Sequence, residues 1–256
     1  MMQVMGIVNA TPDSFSDGGA YEPVAHALRL RAEGADWVDV GGESTRPGAA
    51  PVAPEEEERR VLPVVRALVA AGAAVSIDTR HASTAAAAIQ AGARMVNDVS
   101  AGADPEMFSV TARAGAALVL MHMRGVPATM QGLAHYDDVQ VEVWRELEAR
   151  RGAAVAAGCH DLWLDPGIGF AKTADQSLAL LRGLRGRDNT RVLVGASRKS
   201  MLAGYGAPSG APLPPSARLE ASLAVAIHCA TVGVGMVRVH DVAATRRALA
   251  AWSALS

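Results

Sequence analysis

Residues 91–99, AGARMVNDV, carry the pattern on which the fold turns. Small residues and Gly92 close a helical segment, because glycine takes the left-handed conformation that ends a helix. The apolar run that follows, Met95 and Val96, has the length of a buried strand. Two polar residues, Asn97 and Asp98, then stop it. The same grammar recurs in EGADWVDVGG (33–42), AGAAVSIDT (71–79), AGAALVLMH (114–122), AGCHDLWLDPG (157–167) and TVGVGMVRVH (231–240). Two more short apolar runs, 4–8 and 192–194, complete a series of eight strands. The segments between them are rich in Ala, Leu, Glu and Arg, which are good helix formers.

Eight strand–helix units in 256 residues predict a single (β/α)8 TIM barrel spanning 1–256 as one domain. An open doubly wound sheet also alternates strand and helix. The count of eight and the lack of a GxGxxG turn after the first strand favour the barrel. No Walker, HExxH or GxSxG motif is present. The Pro/Gly-rich stretch 204–216 is read as a long loop after strand seven, and 124–136 as one after strand five. The acidic run that opens with Pro54 reads as a helix start facing the positive end of the dipole, without functional weight.

Composition narrows the function. Hydrophobic residues make up 50% and charged residues 20%, with a net charge of −2, so no general nucleic-acid binder is expected. Cys159 and Cys229 fit neither a metal spacing nor a disulfide framework and read as reduced thiols of a cytoplasmic protein. The N-terminus lacks the pattern of a signal peptide. The most apolar stretch, 221–237, is short for a bilayer span and breaks into a helix and a strand. No membrane or nucleic-acid partner is therefore expected.

In a barrel the strand ends converge on one mouth, where active sites of this architecture lie. The sequence puts Asn9, Asp78, Asn97, Met121 with His122, Asp165, the run 197–200 and Arg238 with His240 at those ends. Each residue also has a plainer reading. Asp78 could cap the next helix, one of Asn97 and Asp98 could shape a turn, and Asp165 precedes the Pro166-Gly167 turn. His122, His135 and His160 read as structural or exposed. Taken jointly, two carboxylates, an amide and Lys199 suit a flat heterocycle with an N–H edge, such as a 2-amino-4-oxopyrimidine. Arg46, Arg238 and His240 supply donors for phosphate, and Asn9 offers a hard oxygen suited to Mg²⁺.

Several stretches, in order along nearly the whole chain, resemble the dihydropteroate synthase family: MGIVNATPDSFSDGG (5–19), GGESTRPGA (41–49), LMHMRG (120–125), DPGIGF (165–170), GASRKS (195–200) and RVHDV (238–242). The resemblance implies a folate-pathway transferase joining 6-hydroxymethyl-7,8-dihydropterin diphosphate to p-aminobenzoate, with SN1-like loss of diphosphate. It implies that Asp78, Asn97, Asp165 and Lys199 hold the pterin ring with Met121 against its face. Asn9 would bind Mg²⁺. Thr45, Arg46, Arg238 and His240 would contact the diphosphate. Phe170, Lys199 and Ser200 would line the p-aminobenzoate side, with Phe15 and Pro47 closing over it. Asp17, on the long first loop (8–19), would sit near the cationic centre, so that Asp17, Lys199, Arg238 and His240 form the catalytic set. A homodimer through the last helices is also implied, in keeping with a helix near 218–232 that is apolar almost all round. The chain departs from the family in having Ala171, Ala217 and Ala221, where members often carry Gly, an acid and Gly. Three rivals remain open: a pterin-binding methyltransferase domain, an aldolase using Lys199 as a Schiff-base former activated by Arg198, and a non-catalytic pterin-binding homologue.

Overall fold

In a computed structural model, which describes residues 2–11, 23–44, 49–205 and 211–255, every one of the eight apolar runs is a parallel strand followed by a helix. The order is β1 (Gln3–Asn9), α1 (Pro23–Ala32), β2 (Trp37–Gly41), α2 (Pro54–Ala70), β3 (Val75–Asp78), α3 (Ala82–Gln90), β4 (Met95–Asp98) and α4 (Met107–Ala114). It continues with β5 (Ala117–Met121), α5 (Val139–Ala156), β6 (Leu162–Asp165), α6 (Ala174–Arg182), β7 (Leu193–Val194), α7 (Leu219–Thr231), β8 (Met236–Val239) and α8 (Val242–Leu255). Neighbours pair in the order β6-β5-β4-β3-β2-β1-β8-β7. A single bridge between Leu164 and Val192 brings β6 to β7 and closes the ring. The predicted (β/α)8 barrel is the fold.

Two hydrophobic bodies hold it together. The larger lies between strands and helices and includes Val38, Val40, Val61, Leu68, Ile77, Leu118 and Leu120. The smaller fills the barrel interior: Met5, Met95, Ala117, Val119, Trp163, Leu193 and Met236, with Trp37 packed against it. Successive side chains of a strand alternate faces, so the residue two further on points inward again, one layer higher. Applied to the interior plug, this rule leads from Trp37 to Asp39, Met95 to Asn97, Val119 to Met121, Trp163 to Asp165, Leu193 to Gly195 and Met236 to Arg238. An apolar floor thus carries a polar layer directly above it.

Candidate active site

Register sets the rim. Asn9 pairs with Gly41, Gly41 with Asp78, and Asp78 with Asn97, so one row across four strands carries three of the expected site residues. Met121 pairs with Asp165 on the opposite wall. The two walls meet near Gly195, where an added Cβ would stand 3.8 Å from both Arg238 Cβ and Asp165 Oδ2.

The polar layer is knit by Arg238. Its Nε donates to Asp39 Oδ2 at 2.6 Å and one terminal nitrogen donates to Asp78 Oδ2 at 2.6 Å. Asn97 Nδ2 donates to the same Asp39 oxygen at 3.0 Å. Asp39 is fully buried, and its other oxygen has no partner among the described residues. A buried carboxylate is tolerated only with charge-matched donors, and Arg238 and Asn97 supply them. Sequence reading did not select Asp39, because it lies inside the strand between Val38 and Val40 and not at its end. The inward alternation above Trp37 was the signal that could have found it.

The plainer readings of the carboxylates separate cleanly. Asp78 caps nothing: α3 begins at Ala82, whose N–H donates to Asp104 Oδ2 at 2.9 Å. Asp98, not Asn97, shapes the turn, accepting from the N–H and hydroxyl of Ser100 and from the Gly102 N–H. Asp165 does both jobs. Its Oδ1 accepts from the Gly167 N–H at 2.7 Å, while Oδ2 is the atom near Gly195. Burial pushes the Asp165 carboxyl above its usual range, against the pull of Lys199. Burial likewise raises Asp78, to about 7, with Arg238 opposing.

Lys199 donates to the Ile168 carbonyl and stands 4.2 Å above the centre of the Phe170 ring. Burial lowers its ammonium to about 8, opposed by Asp165 and helped by Arg238. The expected role of Arg198 in that shift is corrected: its guanidinium turns to Asp241, with Nε donating at 2.9 Å. Arg198 instead shapes the loop, with φ at +60°, its N–H on Ser222 Oγ at 3.0 Å and its carbonyl under Arg218 at 2.8 Å. His240 meets Ser197 Oγ through its N–H and Nδ1, each at 3.2 Å. Ser200 is exposed at the start of a short 3-10 turn, next to Lys199.

Asp17, Thr45 and Arg46, with Phe15 and Pro47, lie outside the described residues. Asn9 is exposed at the last position of β1, beside the Gly41–Asp78 row. A neutral amide oxygen there fits a hard cation that keeps most of its shell for water and phosphate. A second cluster, Glu43, Glu57 and His81, lies behind loops two and three and is already engaged. Glu57 accepts from Thr79 Oγ1 at 2.8 Å and meets His81 Nδ1 at 2.9 Å, while Glu43 holds Arg80. One acid of the run that reads as a plain helix start is therefore fully buried, tying α2 to the third loop.

The profile of the pterin binding enzyme family matches residues 5–240. A dihydropteroate synthase of Mycobacterium leprae is 49% identical over 259 residues, covering 97% of this chain and 91% of the relative. One from Neisseria meningitidis serogroup C is 43% identical, covering 99% and 92%. Among solved structures, Xanthomonas albilineans dihydropteroate synthase with 4-aminobenzoic acid superposes with a TM-score of 0.88 at 45% identity, covering 99% of this chain and 93% of that one. The same enzyme in complex with 7,8-dihydropteroate gives 0.85 at 42% identity, with the same coverage. With its rim of acids and amides over a closed barrel and these relatives along its full length, the chain belongs to the pterin binding enzyme family.

Proposed function

We infer that the chain catalyses the dihydropteroate synthase reaction, a transfer in folate biosynthesis. It joins 6-hydroxymethyl-7,8-dihydropterin diphosphate to p-aminobenzoate and releases diphosphate. The observation that carries this reading is the meeting of Asp78, Asn97, Asp165 and Arg238 above the interior plug, with Lys199 within electrostatic reach of Asp165, Arg238 and Asp78.

In the proposed mechanism the carboxylates of Asp165 and Asp78 accept from the N–H edge of the pterin. Lys199 and Asn97 serve its ring acceptors, and Met121, buried at the end of β5, packs against a ring face. The bond between the pterin methylene and the diphosphate oxygen breaks first, and the electron pair leaves with diphosphate. Arg238 and His240 offset the growing negative charge. The neutral amine of p-aminobenzoate, seated against Phe170, Lys199 and Ser200, attacks the carbocation, and its surplus proton passes to the released diphosphate or to solvent. Water must be kept from the carbocation, which it would quench to an alcohol. Asn9 would hold Mg²⁺, which would supply positive charge toward the departing diphosphate.

A homodimer through α7 and α8 belongs to the same proposal. Helix α7 buries Ser222, Ala226 and Cys229 against its own barrel, yet leaves Leu223, Ala224 and Ile227 at least partly open. Such apolar area on a second face suits a copy of the chain. A monomer at micromolar concentration in sedimentation analysis overturns that part. The cytoplasm is the proposed compartment, since both cysteines are buried free thiols and suit a reducing environment. Among the described residues no helix is long and apolar enough to cross a membrane.

The test of the reaction is direct. Purified protein, pterin diphosphate, p-aminobenzoate and Mg²⁺ should yield dihydropteroate and diphosphate in equal amounts. Tight pterin binding without product favours a non-catalytic pterin binder.

A further inference from the structure

Behind the rim lies a buried cation that the mechanism does not use. Lys172 is only 4% exposed, and its Nζ is 2.9 Å from His122 Nδ1, 3.3 Å from the His122 carbonyl and 2.9 Å from the Phe170 carbonyl. We propose that Lys172 is a positioning residue for the second substrate, holding the loop that presents Phe170 and Lys199 to p-aminobenzoate. The proposal rests on the synthase reading above.

The donor count comes first. An ammonium has three N–H donors and no acceptor. Three acceptors surround Lys172, so each proton has a place. The arrangement also sets the imidazole: Nδ1 accepts, so the ring proton sits on Nε2 and is donated to Glu146 Oε2 at 2.9 Å. Burial, with Lys172 next in weight, holds His122 well below its ordinary range, at about 4, which keeps it neutral in this role. Arg124 in turn grips Glu146, and it also donates to Glu142 at 2.8 Å. The ammonium is thus anchored from α5 through a neutral histidine.

What it anchors is the turn between β6 and α6. The Lys172 side chain reaches back to two carbonyls, one at the end of β5 and one in its own loop. That turn has little freedom elsewhere. A Cβ on Gly167 would fall 1.9 Å from the His122 carbonyl oxygen, and the Ala171 carbonyl accepts from Tyr136 Oη at 3.0 Å. The outer side of the same turn carries the Phe170 ring beneath Lys199, and Lys199 is tied to the carbonyl of Ile168. Without the ammonium, two carbonyls and a ring nitrogen lose their donor in a place water scarcely reaches. The turn must then shift to solvate them, and Phe170 moves with it. Asp78, Asn97 and Arg238 sit on other strands and make none of these bonds.

Steady-state kinetics with both substrates tests this. Wild type is measured first, and no product from it defeats the synthase reading independently of Lys172. With activity in hand, Lys172→Met should raise the KM for p-aminobenzoate by about tenfold, the scale of one lost buried hydrogen bond or more. The KM for pterin diphosphate should rise by a clearly smaller factor, since of the proposed pterin contacts only Asp165 and Lys199 border this turn. Lys172→Arg, which keeps charge and donors, should recover most of the loss. If Lys172→Met does not fold, Lys172→Gln carries the same test. An unchanged KM for p-aminobenzoate, a parallel rise in both KM values, or an arginine variant no better than the neutral one overturns the proposal.

Discussion

In the proposed mechanism Asp165 divides its two oxygens between a turn and the pterin, and that division makes a sharp experiment possible. Oδ1 accepts from the Gly167 N–H and so stabilises the turn, while Oδ2 lies toward Gly195. In Asp165→Asn the amide oxygen can keep the turn bond, but the other position becomes an N–H donor facing the donors of a pterin. Losing a charged bond and gaining that opposition should weaken pterin binding by about 100-fold, some 3 kcal/mol. Titration calorimetry with a pterin would measure the loss, and thermal unfolding should stay nearly unchanged. Equal affinity would remove Asp165 from the site. Ala171 gives the opposite kind of case. It is buried with φ at +48°, a conformation that costs an L-residue about 1–2 kcal/mol. Glycine removes that strain but adds unfolded-state entropy, so Ala171→Gly should stabilise by about 0.5–1 kcal/mol net. A rise in melting temperature of about 2–3 °C is expected.

At the scale of elements, the loop after β7 is held by the start of α7. Ser222 Oγ accepts from the Arg198 N–H at 3.0 Å and donates to the Arg218 carbonyl at 2.6 Å, so one hydroxyl fixes the strained residue that precedes Lys199. Ser222→Ala should cost about 1 kcal/mol of stability and lower kcat/KM for pterin diphosphate about fivefold, because Lys199 loses its fixed origin. Full activity would mean that Arg218 alone holds the loop. The eight strands were legible because polar residues interrupt apolar runs at regular intervals, and helix ends at Gly34, Gly72, Gly92, Gly115, Gly158 and Gly233 all take positive φ. Asp78, Asn97 and Asp165 were visible at strand ends for the same reason. Asp39, Glu57 and Lys172 were not. Each sits in a context that reads as something ordinary: a strand interior, an acidic helix start, a charge beside a loop. Only the close packing of other elements makes them buried, and that packing is set by contacts remote in sequence, such as Asp39 with Arg238.

The whole molecule couples these groups through one low-dielectric mouth, and pH separates function from folding there. The proposed mechanism needs Asp78 and Asp165 as carboxylates and Lys199 as an ammonium. Burial moves Asp78 up to about 7 and Lys199 down to about 8, so kcat/KM for pterin diphosphate should follow a narrow bell. It should fall as pH drops through about 7 and again as pH rises through about 8. Stability obeys a different sign. Between the folded value near 8 and the ordinary value of 10.5, the unfolded chain binds more protons at Lys199 than the folded chain does, and stability from this group rises with pH. Lys172, lowered to about 7 by burial, acts in the same direction on stability, and the loss of its proton is read in the KM for p-aminobenzoate, not in kcat/KM for pterin diphosphate. Activity should therefore be lost between pH 8 and 9.5 while the melting temperature holds or climbs. Lys199→Arg, whose guanidinium does not titrate in this range, should push the alkaline limb beyond pH 9.5 even if its maximal rate is lower. Parallel loss of activity and melting temperature above pH 8, or an alkaline limb unmoved by Lys199→Arg, would detach Lys199 from the reaction.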